Sequence, residues 1–337
     1  MSKVGYLFNR IRQMHFDRML VKAREISAAS GRRRFAILAD MVYCGFRYQA
    51  GYMDYALFEM HNKNSAQRSS ILTRGRNNAY VALLNSREDS RVFDDKVEFH
   101  KLFREFTRRD FIWLEKAGIG DFAAFAAKHP RFVAKPPDGT HGDGVEIIEA
   151  ADIGSELEGL YRRLLAGRQR LCEELVIQHQ TMAALNSGAV NTVRIVTILK
   201  DGHTHIVTAM LRIGGAGRQV DNFNNGGMVV PVEIETGTVA FPAMEKSGRV
   251  YTSHPASGTA IVGFQVPLWQ ECLALVRRAA EVVPSVRYVG WDVAVTPKGP
   301  LIIEGNPFPG HDIYGLPPHA PDGMGILPRF AEIIPLR

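Results

Sequence analysis

Tyr288-Val-Gly-Trp-Asp292-Val-Ala-Val-Thr296-Pro-Lys298-Gly-Pro300-Leu-Ile-Ile-Glu304-Gly-Asn306 has the most constrained geometry in the sequence. Two apolar runs flank a Pro-Lys-Gly-Pro turn, which predicts a β-hairpin of strands 288–296 and 301–304. A turn symmetric about Lys298 makes Asp292 and Glu304 direct cross-strand neighbours, with Cβ atoms about 5 Å apart. Asn306, two residues further on, falls on the same face. Like charges opposed in this way are destabilising unless something neutralises them. A divalent cation held by two carboxylates and an amide oxygen would do so, and would keep coordination positions for phosphate oxygens. The plain alternative is a pair of solvated acids. Val289, Trp291, Val293, Val295, Leu301, Ile302 and Ile303 are too apolar for a hairpin exposed to solvent.

Upstream, Phe132-Val-Ala-Lys135-Pro-Pro-Asp-Gly139-Thr140-His141-Gly142-Asp-Gly144-Val places a lysine at a strand end and three glycines in the next stretch. Glycines let the backbone take positive φ and turn several N–H groups inward, which makes a phosphate cradle. Lys135 adds a fixed positive charge. The context is strand–loop–strand, so the cradle would be a hairpin lid, and neither a P-loop nor a GxGxxG fingerprint is present. Farther along, Arg194 stands in a strand otherwise made of Val, Ile and Thr, with Arg212 on the next strand. A forked guanidinium there faces either solvent or an anion, a carboxylate or phosphate.

The rest of the chain frames these segments. Residues 1–95 read as mainly helical, with breaks at Gly31, Gly51 and Gly75, and 96–117 continue as helix. After Pro130 the pattern changes to short strands. Hairpins are expected at 192–199 with 204–213 across Asp201-Gly202, and at 228–234 with 239–241 across Thr236-Gly237. A helix is expected near 155–166, and an amphipathic helix over 268–283 ended by Pro284. This is an α+β pattern of antiparallel hairpins, not a doubly wound sheet.

The ordered set of motifs resembles an ATP-grasp enzyme of the carboxylate–amine ligase branch. The set is Lys96, Lys135 with its glycine loop, Cys172-Glu-Glu-Leu-Val176, Asn191-Thr-Val-Arg194, Arg212, Asp221-Asn222 with Gly226-Gly227, Gly290-Trp-Asp292 and Glu304-Gly-Asn306. Together with His254-Pro-Ala-Ser-Gly258, it most resembles the sugar-transfer-associated ATP-grasp group, over about 90–315. The resemblance implies the ATP-grasp fold, two α+β subdomains gripping ATP, with a lid over about 118–172 and a catalytic subdomain over about 173–337. It also implies roles. Lys96 and Lys135 would contact the ATP phosphates, and Gly139, Thr140, Gly142 and Gly144 would form the lid. The strand through Glu173, Glu174 and Val176 would meet the adenine, with a glutamate near the base or ribose. Arg194, Arg212 and Asn222 would hold the acyl phosphate or γ-phosphate, and Asp292, Glu304 and Asn306 would bind Mg²⁺, or Mn²⁺ in its place. Gln178, His179 and Gln180 stand where such ligases often carry a ribose-binding glutamate.

The implied reaction joins a carboxylate to an amine with ATP, on small-molecule or sugar-linked substrates of cell-surface polysaccharide or sugar-conjugate synthesis. A kinase acting on a sugar or polyol hydroxyl, or a non-catalytic ATP-binding module, would use the same site. No HExxH or GxSxG is present, and His141 and His254 read as ordinary loop histidines.

Composition sets outer bounds. The 337 residues are 46% hydrophobic and 23% charged, which excludes a disordered or collagen-like chain. Cys44, Cys172 and Cys272 are far apart and give no zinc-binding pair. The most apolar run, from Phe35 to Phe46, is broken by Asp40 and is too short to span a membrane, so the cytoplasm is the expected location. Residues 1–34 hold nine basic residues against two acids, a net +7, so the other 303 sum to −1. Val4, Leu7, Phe8, Ile11 and Met14 recur at helical spacing within that end. Such a basic amphipathic helix docks on the body, lies on an anionic inner membrane face, or binds nucleic acid. The near-neutral remainder argues against nucleic acid.

Overall fold

Val193, Ile195, Val289, Trp291, Val293 and Ile302 are wholly buried, and their strands form one side of a seven-stranded antiparallel sheet. The computed structural model describes residues 16–138, 144–149, 156–215, 217, 221 and 223–335. The N-terminal apolar residues Val4 to Met14, the loop residues Gly139, Thr140, His141 and Gly142, and Asn222 therefore lie outside the described residues. By its contacts the chain forms two compact units, residues up to 79 with 314–331, and 80–313 with 332 onward.

The larger unit contains two sheets. Strands β1 (Phe111–Trp113), β2 (Arg131–Lys135), β3 (Glu146–Glu149) and β4 (Leu171–Glu174) form a four-stranded sheet in the order β1-β4-β2-β3. Helices Ile119–Lys128 and Leu157–Ala166 cover it, packing Phe122, Phe125 and Leu164 on Phe132 and Ile148. The other strands are β5 (Thr192–Lys200), β6 (His203–Ile213), β7 (Met228–Val232), β8 (Ala243–Glu245), β9 (Val250–Tyr251), β10 (Tyr288–Thr296) and β11 (Gly299–Asn306), in the order β11-β10-β5-β6-β7-β8-β9. Helix Trp269–Ala279 supplies Cys272, Leu273, Leu275 and Val276 to this sheet's core. The fold is α+β, with a helical N-terminal region, as the hairpin pattern predicts.

The β10–β11 register pairs Asp292 with Glu304 by an unexpected route. The turn is a tight one, with Thr296 opposite Gly299 and Val293 opposite Ile302, so it is not centred on Lys298. A bulge between Asp292 and Val293 absorbs one extra residue of β11 and brings Glu304 opposite Asp292. On the reverse face Trp291 packs on Phe93 and Phe103 and donates its indole N–H to Thr197 Oγ1 at 2.9 Å. Gly305 is part of that packing, because a Cβ there would stand 2.9 Å from the Phe93 ring and 3.0 Å from Trp291. Gly305→Ala should destabilise the fold by about 1–3 kcal/mol through overpacking, read as a lower denaturation midpoint; an unchanged midpoint would mean that the aromatic cluster repacks freely.

Several local expectations are corrected. Gly75 does not break a helix but lies within Arg74–Leu84, where a Cβ would meet Gln49 at 2.6 Å. The helix expected over 96–117 stops at Thr107, because Arg108 takes a left-handed φ of 49°, and Phe111–Trp113 become a strand by pairing with β4. The turn at Gly237 forms, yet β7 is partnered on that side by β8 rather than by residues 239–241. Residues 80–95 belong by their contacts to the larger unit, with Asn85 Nδ2 donating to the Tyr288 and Pro307 carbonyls at 2.7 and 2.6 Å.

The smaller unit rests on two packed helices, Phe16–Ser30 and Arg34–Tyr48. Met19, Ala23 and Ile26 on the first and Ile37, Met41, Cys44 and Tyr48 on the second recur at helical spacing and are buried. Asp40 accepts both arms of the Arg68 guanidinium at 2.7 Å and the Tyr55 hydroxyl at 2.6 Å. Residues 314–331 join this unit through Lys63 Nζ donating to Gly323 O (2.8 Å) and Gly325 N–H donating to Ser70 Oγ (2.7 Å). Among the described residues no helix is long and apolar enough to cross a membrane.

Candidate functional site

Register places a row of charged side chains across the large sheet. Glu304 on β11 faces Asp292 on β10, which faces Arg194 on β5, and Arg212 stands on β6 beside them. Arg194 grips Asp292 with Nε to Oδ1 at 2.5 Å and Nη2 to Oδ2 at 2.8 Å. Arg212 adds Nη1 to Oδ2 at 2.6 Å, and its other arm reaches Asp221 Oδ1 at 3.0 Å. The Thr192 hydroxyl and N–H, the latter at 3.1 Å, donate to the second Asp221 oxygen. Gly290 makes this possible, since a Cβ there would press on the Arg194 side chain at 3.1 Å.

The charges in this row are not evenly balanced. Burial works against an ionised Asp292, but Arg194 and Arg212 hold its carboxyl well below the usual range. Burial and the adjacent Asp292 charge push Glu304 up from its ordinary value, with only partial relief from the arginines. Asn306 Nδ2 lies 3.3 Å from Glu304 Oε1. Two carboxylates and a carboxamide are a hard-oxygen donor set of the kind Mg²⁺ takes, so by donor type these residues fit Mg²⁺. In this structure both Asp292 oxygens are held by Arg194 and Arg212, so Asp292 would have to release a guanidinium to ligate a cation.

A second cluster forms on the small sheet. Glu173 is 1% exposed and faces three partners, the Arg109 Nη1 and Lys135 Nζ cations at 2.6 and 2.5 Å and His100 Nε2 at 2.8 Å, the last an imidazole whose charged form burial disfavours. Burial alone would raise Glu173, yet Lys135, Arg109 and His100 together hold it well below 4.5. Both Glu173 oxygens are taken by protein groups in this structure. Glu174 alternates to the other face and accepts the Asp110 N–H at 3.1 Å, while Asp110 also takes Lys128 and His129. Val176 follows β4 in an irregular, half-buried segment.

The two clusters share an electrostatic environment. Burial and Lys135 lower Lys96, while Glu304, Glu173 and Asp138 pull it upward, so all four groups lie within its reach. The Lys96 N–H donates to Pro137 O at 3.2 Å, tying the helix Lys96–Leu102 to the segment after β2. Arg109 Nη2 donates to Ile303 O at 3.3 Å, linking the small sheet to β11. Gly144 takes φ +75° beside Pro136, so the far end of the glycine loop has the left-handed backbone that only glycine adopts readily.

Residue-type reasoning did not single out His100, Arg109, Asp221 or Thr192. His100 and Arg109 lie in a region read as one long helix, and their partner Glu173 is distant in sequence, so no local spacing marks them. Asp221 was visible only as the neighbour of Asn222. Gln178 is a structural residue: its amide donates to Asn186 O and Ala189 O and accepts from Asn191. His254 is buried, with Nε2 against Gly214 O at 2.9 Å and Nδ1 facing the Ala256 and Ser257 N–H groups, so it pins two loops together.

A family model described as sugar-transfer associated ATP-grasp matches residues 75–333. No curated protein matches the chain. Among solved structures, the chain is similar to D-alanyl-alanine synthetase A from Vibrio cholerae O1 biovar eltor str. N16961. The identity is 14% and the TM-score 0.42, over 74% of this chain and 62% of that one. The ATP-grasp ligase PsnB, complexed with a phosphomimetic variant of minimal precursor, Mg and ADP, is 16% identical with a TM-score of 0.39, over 70% of this chain and 60% of that one. The D-alanine-D-alanine ligase from Coxiella burnetii is 13% identical with a TM-score of 0.40, over 71% and 57%. The chain therefore spans less than two thirds of the length of each of these three.

Proposed function

The chain belongs to the sugar-transfer associated ATP-grasp family, and from that membership we propose that it is an ATP-dependent carboxylate–amine ligase. Its substrates would be small-molecule or sugar-linked carboxylates and amines of cell-surface polysaccharide or sugar-conjugate synthesis. What carries the reading is one juxtaposition: Asp292, Glu304 and Asn306 beside Arg194 and Arg212, with Lys96 and Lys135 in electrostatic reach of Glu304 or of each other.

In this reading a substrate carboxylate oxygen attacks the γ-phosphorus of ATP, and the bond to the β–γ bridging oxygen breaks to release ADP. An amine nitrogen then attacks the acyl carbon, inorganic phosphate departs, and the amine loses a proton. No protein nucleophile takes part. The protein positions reactants and offsets charge that grows on phosphate oxygens. Asp292, Glu304 and Asn306 would hold Mg²⁺, or Mn²⁺, which when bound neutralises phosphate charge. Arg194 and Arg212 would turn further N–H groups to phosphoryl or acyl-phosphate oxygens, with Asp292 and Asp221 holding the two guanidinium planes in place. Asn222 would sit next to them. Lys135 keeps donors beyond the one directed at Glu173, and it and Lys96 would hold ATP phosphates under a lid formed by Gly139, Thr140, Gly142 and Gly144. We place the protein in the cytoplasm, with its basic N-terminal end suited to peripheral contact with the inner membrane face.

Lys135→Ala should weaken ATP binding or slow turnover by about 10²-fold or more, as when one preorganised electrostatic partner is lost. Calorimetric ATP affinity and ADP release check this, and wild-type values in both would remove Lys135 from the nucleotide site. The reading as a whole is tested by an ADP-release screen over pairs of carboxylates and amines, with mass spectrometry of the products. It predicts ADP formation that needs both partners and a product lighter than their sum by one water. A phosphorylated product formed without any carboxylate would identify a kinase, and ATP binding without turnover on any pair would favour a sensor module.

A further inference from the structure

The helix Arg34–Tyr48 has two apolar faces and one of them is uncovered. Ile37, Met41, Cys44 and Tyr48 form the buried face. Phe35, Ala39, Val42 and Phe46, at the same helical spacing, form a second stripe. At about 100° per residue these four fall within about 60° of one another. Phe35 is 85% exposed, Phe46 60% and Val42 44%, with Tyr43 at 51% along the margin. Scattered exposed apolar residues are ordinary, whereas a continuous stripe that includes two phenylalanines is a contact surface. A helix that is apolar all round is normally buried on all sides.

Charge points to what covers it. Between Ala28 and Met53 there are four basic residues, Arg32, Arg33, Arg34 and Arg47, and one acid, Asp40. Asp40 is held by Arg68 and Tyr55. Arg32 and Arg33 are exposed just before the stripe begins, while Arg47, also exposed, lies about 100° round the helix from Phe46 with its guanidinium 5.5 Å from the Tyr48 ring centroid. Among the described residues none of these three makes an ion pair with a carboxylate. An apolar stripe with two exposed guanidinium groups at its start and a third on its flank is complementary to a lipid surface with anionic headgroups: the aromatic side chains enter the acyl boundary and Arg32 and Arg33 meet the phosphates. We propose that this face of Arg34–Tyr48 docks the protein on an anionic membrane. The proposal rests on the peripheral location given above, adds a defined inserting surface to it, and is independent of the ligase chemistry.

The test is flotation of the full chain with vesicles of phosphatidylcholine, alone or mixed equally with phosphatidylglycerol. Three proteins are compared: the natural chain, Phe35→Ser with Phe46→Ser, and Lys3→Glu with Arg10→Glu and Arg12→Glu. Both phenylalanines are exposed, so thermal denaturation should be nearly unchanged in the first variant. The expected result is binding of the natural chain to phosphatidylglycerol vesicles, weakened by salt, and a loss of at least about tenfold in the phenylalanine variant. Natural binding by the phenylalanine variant would overturn the inference. If the amino-terminal charge variant then lost binding, the peripheral location would stand through the other segment. No binding by the natural chain would overturn both. Sedimentation equilibrium is run in parallel: a dimer that the phenylalanine changes dissociate, with no vesicle binding, would assign the stripe to a second copy of the chain and also overturn the inference.

Discussion

Glu173→Gln should destabilise the larger unit by about 3–5 kcal/mol, the usual cost of removing one member of a buried ion cluster. The loss leaves Arg109 and Lys135 without the carboxylate that both now contact. A nearby control, Glu174→Gln, should cost far less, about 1 kcal/mol, because Glu174 is half-buried and accepts one backbone N–H in place of a buried cation cluster. Equilibrium denaturation in urea measures both. The same cluster sets an acid dependence. Glu173 in the folded protein lies below its ordinary 4.5, so its contribution is present above pH 4.5 and is lost as pH falls from there through the folded value. Wild-type protein should therefore lose stability in that window more steeply than Glu173→Gln. Equal midpoints and equal acid profiles would mean that the cluster contributes nothing.

Glu304→Gln should act in the opposite sense, leaving stability intact and removing activity. Turnover should fall by about 10³-fold or more, since one charge of the proposed cation-binding set is gone. Stability should be unchanged or slightly higher near neutral pH. The folded value of Glu304 lies above its ordinary one, so the ionised form costs the folded state free energy as pH rises, and glutamine removes that cost. A residue that burdens the fold while serving the site is the expected signature of function. Asp292→Asn should differ, losing stability as well as activity, because Arg194 and Arg212 both depend on its charge. ADP release together with thermal denaturation separates these cases. Near-natural turnover by Glu304→Gln would remove it from the site.

Much of this arrangement was legible in the chain, and the exceptions have physical causes. Alternating apolar residues flanking short turns marked β5, β6 and β10, and opposed acids marked Asp292 with Glu304. The bulge was not legible. Pairing within β10 and β11 is decided by how Trp291 and Gly305 pack on Phe93, which no turn count contains. Arg194 could be recognised as facing an anion, but the anion it grips in this structure is Asp292. The Glu173 cluster escaped because His100 and Arg109 reach it across sequence separations of 73 and 64 residues. β1 escaped because three residues after a left-handed Arg108 carry no periodicity of their own and become a strand only by pairing with β4. The apolar run at Phe35 to Phe46 gives no sign in the sequence of which of its two stripes is buried; in the structure Ile37, Met41 and Cys44 are, and Phe35, Val42 and Phe46 are not.

The most direct test of the ligase account follows oxygen. Once the screen yields a working carboxylate and amine, the carboxylate is supplied labelled with heavy oxygen and the phosphate is analysed by mass spectrometry. The account predicts that one labelled oxygen passes from each carboxylate to inorganic phosphate, because that oxygen bonds to the γ-phosphorus and leaves with it. Inorganic phosphate without label, or label retained in full by the organic product, would contradict it.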